Sequence, residues 1–166
     1  MEISVASPAT PLPPPRIVCS ALITDRASDG ARTFLLVRTP DMPSGRYRLP
    51  VGQPTHNGIA DHFDLHDAVL SGTGLRITVG RLLATDQITG ATGRVHHHIR
   101  LCSVNGEGQK VRLGGKLSSY LWATEDDLAL CGPELAPVVQ AALRARSKGT
   151  RACFANGRFG PVLEGV

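Results

Sequence analysis

Residues 49–75 read LPVGQPTHNGIADHFDLHDAVLSGTGL, and they decide the fold. A short strand, Tyr47–Pro50, runs into a loop rich in Gly, Pro and Asn from Val51 to Gly58. A helix follows from about Ile59 to Ser71 and stops at Gly72-Thr73-Gly74, where glycine takes up the left-handed conformation that ends helices. At about 100° per residue, Ile59, Phe63, Leu65, Val69 and Leu70 share one broad arc, which should face a core. Asp61, Asp64, Asp67, Ala68 and Ser71 share the other arc.

Outward from this stretch, Arg16–Thr24 and Thr33–Val37 are apolar runs separated by the turn-forming residues Asp25–Gly30. Downstream, Leu75–Leu83 and Arg94–Val104 read as strands, Lys110–Leu113 as another, and Ser119–Ala123 as an apolar extended piece. Thr124, with acidic residues just behind it, can start a short helix over Glu125–Leu130. Pro133–Arg146 has the early proline and apolar spacing of a full helix. A helix set between strands predicts an α/β (α+β) sandwich, a mixed β-sheet between helices, rather than an all-β barrel.

The 166 residues, 42% of them hydrophobic, suffice for one buried core and leave a second domain cramped. The expected organisation is a flexible Pro-rich segment over residues 1–15, one domain over 16–147 and an extension over 148–166. Aromatic residues make up only 4%, too few for base-stacking surfaces, so no nucleic-acid partner is expected. The net charge of +4 favours anionic small ligands. Arg144, Arg146, Lys148 and Arg151 are read as a solvated helix end. Cys19, Cys102, Cys131 and Cys153 form no C-x-x-C pair, which fits a reduced, cytoplasmic protein. No apolar stretch approaches the ~20 residues of a membrane span. A homodimer is compatible with the sequence.

The order of elements resembles the Nudix hydrolases, whose signature is written G-x5-E-x7-R-E-U-x-E-E-x-G-U. Leu49-Pro50-Val51-Gly52 is similar to the family's L-P-G-G entry and Thr73-Gly74-Leu75 to its T-G-L exit. Tyr120-Leu121-Trp122 followed by Glu125-Asp126-Asp127-Leu128 is similar to its tryptophan strand before a terminal helix. The resemblance spans roughly residues 16–147 and implies the Nudix-like sandwich. The departures lie where the chemistry would be. Anchored on Gly74-Leu75, the family's R-E falls on Asp67 and Ala68 and its E-E on Ser71 and Gly72. Anchored one residue earlier, at most one carboxylate is recovered. Magnesium needs near-octahedral oxygen ligation, usually from clustered carboxylates and substrate phosphates, so ordinary diphosphate hydrolysis is not expected.

The helix still carries acid-base groups. His62 and His66 stand four residues apart, a spacing that can share a metal, but no glutamate follows the first histidine as a general base. Packing against a sheet is the commoner fate of such histidines. Asp61, Asp64 and Asp67 are candidate partners, either as displaced carboxylates of the same cleft or as a solvated acidic face near a helix N-terminus.

In Arg94–Val104, alternation sends His96, His98, Arg100 and Cys102 to one face and Val95, His97, Ile99 and Leu101 to the other. Five of the six histidines lie on this strand and on the helix. If the family fold holds, helix and sheet flank one cavity in which some of them can meet and transfer protons without metal.

The expectation is therefore a metal-independent small-molecule enzyme with no cofactor. His62, His66, Asp61, Asp64 and Asp67 are its candidate catalytic groups, and His96, His98, Arg100 and Arg48 its candidate substrate contacts. The alternative is a non-catalytic module that binds a nucleotide-like or other small ligand.

Overall fold

The computed structural model describes residues 15–26, 32–52, 61–90, 93–106, 108–155 and 158–159, with the side chains of residues 61–63 and 158–159 outside the description. Nearly all of the proline-rich segment and most of the glycine-bearing loop lie outside the described residues.

Alternation builds the sheet and both of its cores. In β1 (Arg16–Arg26), Cys19, Ala21 and Ile23 point to one face, while Ser20 and Leu22 point to the other. In β2 (Arg32–Arg38), Leu35 and Val37 join the first face, and Phe34 and Leu36 the second. A strand apolar on both faces must be covered twice, which fixes a three-layer arrangement. α1 (Asp61–Thr73) covers the first face with Leu65 and Val69. α2 (Gly132–Lys148) covers the second with Val138, Val139, Ala142 and Ala145.

The remaining strands are β3 (Ile77–Gly90), β4 (Gly93–Val104), β5 (Ser119–Ala123), β6 (Ala152–Ala155) and β7 (Arg158–Phe159). Among the described residues the seven strands run in the order β5-β2-β1-β4-β3-β6-β7. β1 pairs with β4 and β3 with β6 in parallel, and the other neighbours are antiparallel. This is the mixed sheet between helices that the sequence predicts.

Three local expectations need correction. Lys110–Leu113 is not a strand, because the Arg112 amide, and that of Gly114 just beyond it, serve α1 instead. Arg112 N–H donates to Thr73 O at 2.7 Å and Gly114 N–H to Gly72 O at 3.0 Å, satisfying carbonyls that a helix end leaves without partners. Tyr47–Pro50 makes only isolated bridges, Arg48 with Val37 and Val51 with Ser20, since Pro50 between them has no amide to extend a ladder. β3 runs past Leu83 to Gly90, because β4 offers a partner for every residue of the polar Thr85–Gly90 stretch.

The ends of α2 obey local rules. A 3-10 turn over Glu125–Cys131 leads into it, with Thr124 N–H donating to the Asp127 carboxylate at 2.9 Å. Pro133 sits in the first turn, and Gly149, at φ 68°, closes the helix by donating to Ala145 O. Beyond it β6 returns to the sheet and buries Ala152 and Phe154 in the α2 core. No helix among the described residues is long and apolar enough to cross a membrane.

Candidate functional site

A cleft of about 540 Å³ lies between the C-terminal half of α1, the 48–52 segment and the 114–117 segment. Arg48 is held there by two backbone bonds to Val37, at 2.8 and 2.9 Å. Lys116 enters from the opposite segment, whose Gly114 lies so close to α1 that an added Cβ would come within 2.8 Å of Ser71 O. Along the helix the cleft meets Ala68, Ser71, Gly72 and Thr73. A Cβ on Gly72 would stand 3.0 Å from the Leu117 side chain, so at this position of one expected glutamate the leucine would have to give way slightly.

Among the described residues, none that lines this cleft is an aspartate, glutamate, histidine or cysteine. No group of three or more such residues that could hold a metal occurs anywhere in the described structure. Magnesium takes oxygen ligands, chiefly carboxylates, and one serine hydroxyl with threonine does not replace them. The residues present therefore do not fit the divalent cation that the signature implies. Arg48 and Lys116 give the cleft a positive lining. The carboxylate of Asp41, fully exposed, feels both: the Thr39 hydroxyl holds its pKa below the usual range, and the two cations push in the same direction.

The candidate residues are dispersed. Arg48 lines the cleft, as expected of a substrate contact. His66 on α1 is partly exposed, with Nδ1 3.4 Å from the Asp67 carboxylate, and Asp64 is half-buried one turn earlier; none of these three lines the cleft. Asp61 and His62 begin α1, but their side chains lie outside the described residues. His96 and His98 stack with ring centroids 6.5 Å apart on the face that alternation assigns them. Arg100, on the same face, donates to Gly80 O at 3.2 Å. Neither these strand residues nor His66 lines the cleft.

A second, smaller pocket of about 250 Å³ adjoins the first and shares Val18, Arg48 and Val51 with it. Here the histidine that sequence reasoning left on the apolar face comes forward. His97 Nε2 lies 2.6 Å from Ser20 Oγ, and both side chains line the pocket. Asp86, only 4% exposed, stands directly across from His97 on β3. Burial lowers the His97 pKa to about 4, against the opposing pull of the Asp86 charge and with a small push from His98. The only sequence signal for this group was a serine inside an apolar strand and a histidine at an apolar register position.

No protein-family model and no curated protein matches the chain. Solved structures do. An ADP-ribose pyrophosphatase from Streptococcus suis superposes with a TM-score of 0.61 at 18% identity, over 85% of this chain and 98% of that one. A UDP-X diphosphatase gives 0.67 at 14% identity, over 89% and 70%. A Nudix hydrolase from Nitrosomonas europaea gives 0.64 at 12% identity, over 86% and 79%. The chain has the fold of these proteins, the Nudix hydrolase among them.

Proposed function

We propose that this Nudix-fold chain binds a small anionic molecule in the cleft between α1 and the 114–117 segment without hydrolysing it by metal catalysis. The observation that carries the reading is the lining itself: Arg48 and Lys116 supply positive charge, while Ala68, Ser71 and Gly72 stand where the family's box would place acidic ligands. Ligand attraction survives such a replacement, whereas the chemistry that needs clustered carboxylates does not. Nucleoside diphosphate derivatives, the class to which the names of the structural neighbours point, are the first ligands to test.

Calorimetry with ADP-ribose, a UDP-sugar and inorganic pyrophosphate should find binding that does not need magnesium, and that Arg48→Ala and Lys116→Ala each weaken by about tenfold or more. In magnesium or manganese, formation of AMP from ADP-ribose, of UMP from the UDP-sugar and of phosphate from pyrophosphate, followed by chromatography, should stay at background. Turnover on the order of 1 per second would overturn the loss of hydrolysis. Absence of binding to all three would overturn the ligand class.

The acid-base enzyme is the second reading, supported on α1 by the approach of His66 to Asp67, with Asp64, Asp61 and His62 on the same helix. A reaction that His66→Ala slows by about 10²-fold in a folded protein would favour it.

A further inference from the structure

We propose that Ser20 and His97, which line the smaller pocket, act as nucleophile and base with Asp86 behind them as positioning carboxylate, and that this site hydrolyses short-chain carboxylic esters. The site adjoins the anion cleft and shares Arg48 with it, while Ser20, His97 and Asp86 lie outside the cleft's lining.

The geometry supplies each part of such a device. A serine hydroxyl is a weak nucleophile unless a base lies within hydrogen-bond reach, about 2.6–3.2 Å, and Ser20 Oγ stands 2.6 Å from His97 Nε2. The base must be uncharged to accept the proton, and burial keeps the His97 imidazole neutral at physiological pH. The base in turn needs a group that stabilises its protonated form, and Asp86 faces it across the β3–β4 ladder. All three positions are strand positions of the central sheet, which holds them on a rigid frame.

The pocket selects the substrate class. Its walls are apolar, from Val18, Leu49, Val51, Val95 and Leu135, so an acyl chain is favoured there. At about 250 Å³ it is smaller than the ~300–1,000 Å³ of drug-sized sites, which limits that chain to a few carbons. Arg48 lines the same pocket, and its buried Nε has no hydrogen-bond partner among the described residues. A buried donor without a partner is costly, and an oxyanion developing on the substrate would satisfy it.

The steps balance without any further reagent than water. Ser20 Oγ attacks the carbonyl carbon of the ester as its proton passes to His97 Nε2, giving a tetrahedral oxyanion beside Arg48. Collapse breaks the bond to the alkoxy oxygen, which leaves as the alcohol with the proton from the imidazolium. Water then attacks the acyl-serine, giving its proton to His97. The carboxylic acid departs and Ser20 recovers its hydrogen.

The test uses the full chain. A fluorophosphonate probe should form one covalent adduct, located at Ser20 by peptide mass spectrometry, and p-nitrophenyl acetate should release nitrophenol in a burst of about one equivalent. Ser20→Ala should abolish both, and His97→Gln should slow labelling by about 10²-fold or more. Should His97→Gln fail to fold, Ser20→Cys keeps the test alive, because His97 should accelerate its alkylation by iodoacetamide above that of Cys153. For Asp86 the readout is the acid limb of the labelling rate. Among the described residues, the groups that act on the imidazole are Asp86 on β3 and His98 on β4, and Arg48 lines the same pocket. Removing the negative one by Asp86→Asn should move that limb to lower pH, which a merely structural carboxylate would not do. No adduct at Ser20 in the unmodified protein, or an adduct only elsewhere, overturns the proposal, whatever the anion cleft is found to bind.

Discussion

His97 shows how a single side chain acquires a character that its type does not dictate. In an unfolded chain an imidazole titrates near ~6.5, whereas in the folded protein burial holds His97 at about 4. The folded state thus keeps it neutral where the unfolded state would already bind a proton. Above pH 6.5 neither state is protonated and the group is silent. As pH falls from 6.5 towards 4 only the unfolded state gains the proton, so stability declines, by on the order of 3 kcal/mol once both are charged. Thermal melts between pH 7 and pH 4 should therefore fall less steeply for His97→Gln than for the native protein. Equal slopes would mean that the imidazole is hydrated and not desolvated as placed. The sequence put His97 on the right face of its strand, yet gave no indication of Ser20 as its partner, 77 residues away in the chain.

At the scale of elements, α1 and the segment that closes over its end act as one piece. The helix was legible from its apolar arc and its glycine stop, both of which are local, although of that arc Leu65 and Val69 are buried while Leu70 is exposed. The closing segment was not, because Lys110–Leu113 carries the composition of a strand while the Arg112 amide, with that of Gly114 beyond it, is spent on the Thr73 and Gly72 carbonyls. Close approach at Gly114 is what permits this docking. Gly114→Ala would drive a Cβ to 2.8 Å from the Ser71 carbonyl, a backbone atom that cannot step aside alone. The expected cost is about 1–3 kcal/mol, read as a drop in melting temperature of roughly 2–4 °C per kcal/mol for a chain of this size. A melting temperature unchanged within error would show that the segment lifts away from the helix without penalty. At Gly72 a side chain would first meet the Leu117 methyl at 3.0 Å, so a carboxylate there requires that leucine to shift.

For the whole molecule, the sheet gathers residues from nearly the entire described chain, including β6 beyond α2. Ala152 and Phe154 are buried in the core under α2, and β6 pairs with β3 opposite Asp86 and its neighbours. Ending the chain at Lys148 removes this strand and uncovers its side of the core. Since losing a buried phenylalanine alone costs about 3–5 kcal/mol, the truncated protein should melt at least about 5 °C lower. If it melts as the full chain does, residues 148–166 are an appendage, as composition alone would have them. What the sequence determined by itself was the layered α/β architecture, the two helices and the absence of the metal-binding glutamates. Those follow from periodicities of 2 and 3.6 residues and from residue identity, which are properties of neighbours along the chain. What only the tertiary structure decided was which polar groups meet: Arg48 with Lys116 across the cleft, Ser20 with His97 and Asp86 on the opposite core. A hydrogen bond or a desolvated charge depends on register between strands distant in sequence, and register is set by the packing of the whole sheet, not by any window of residues.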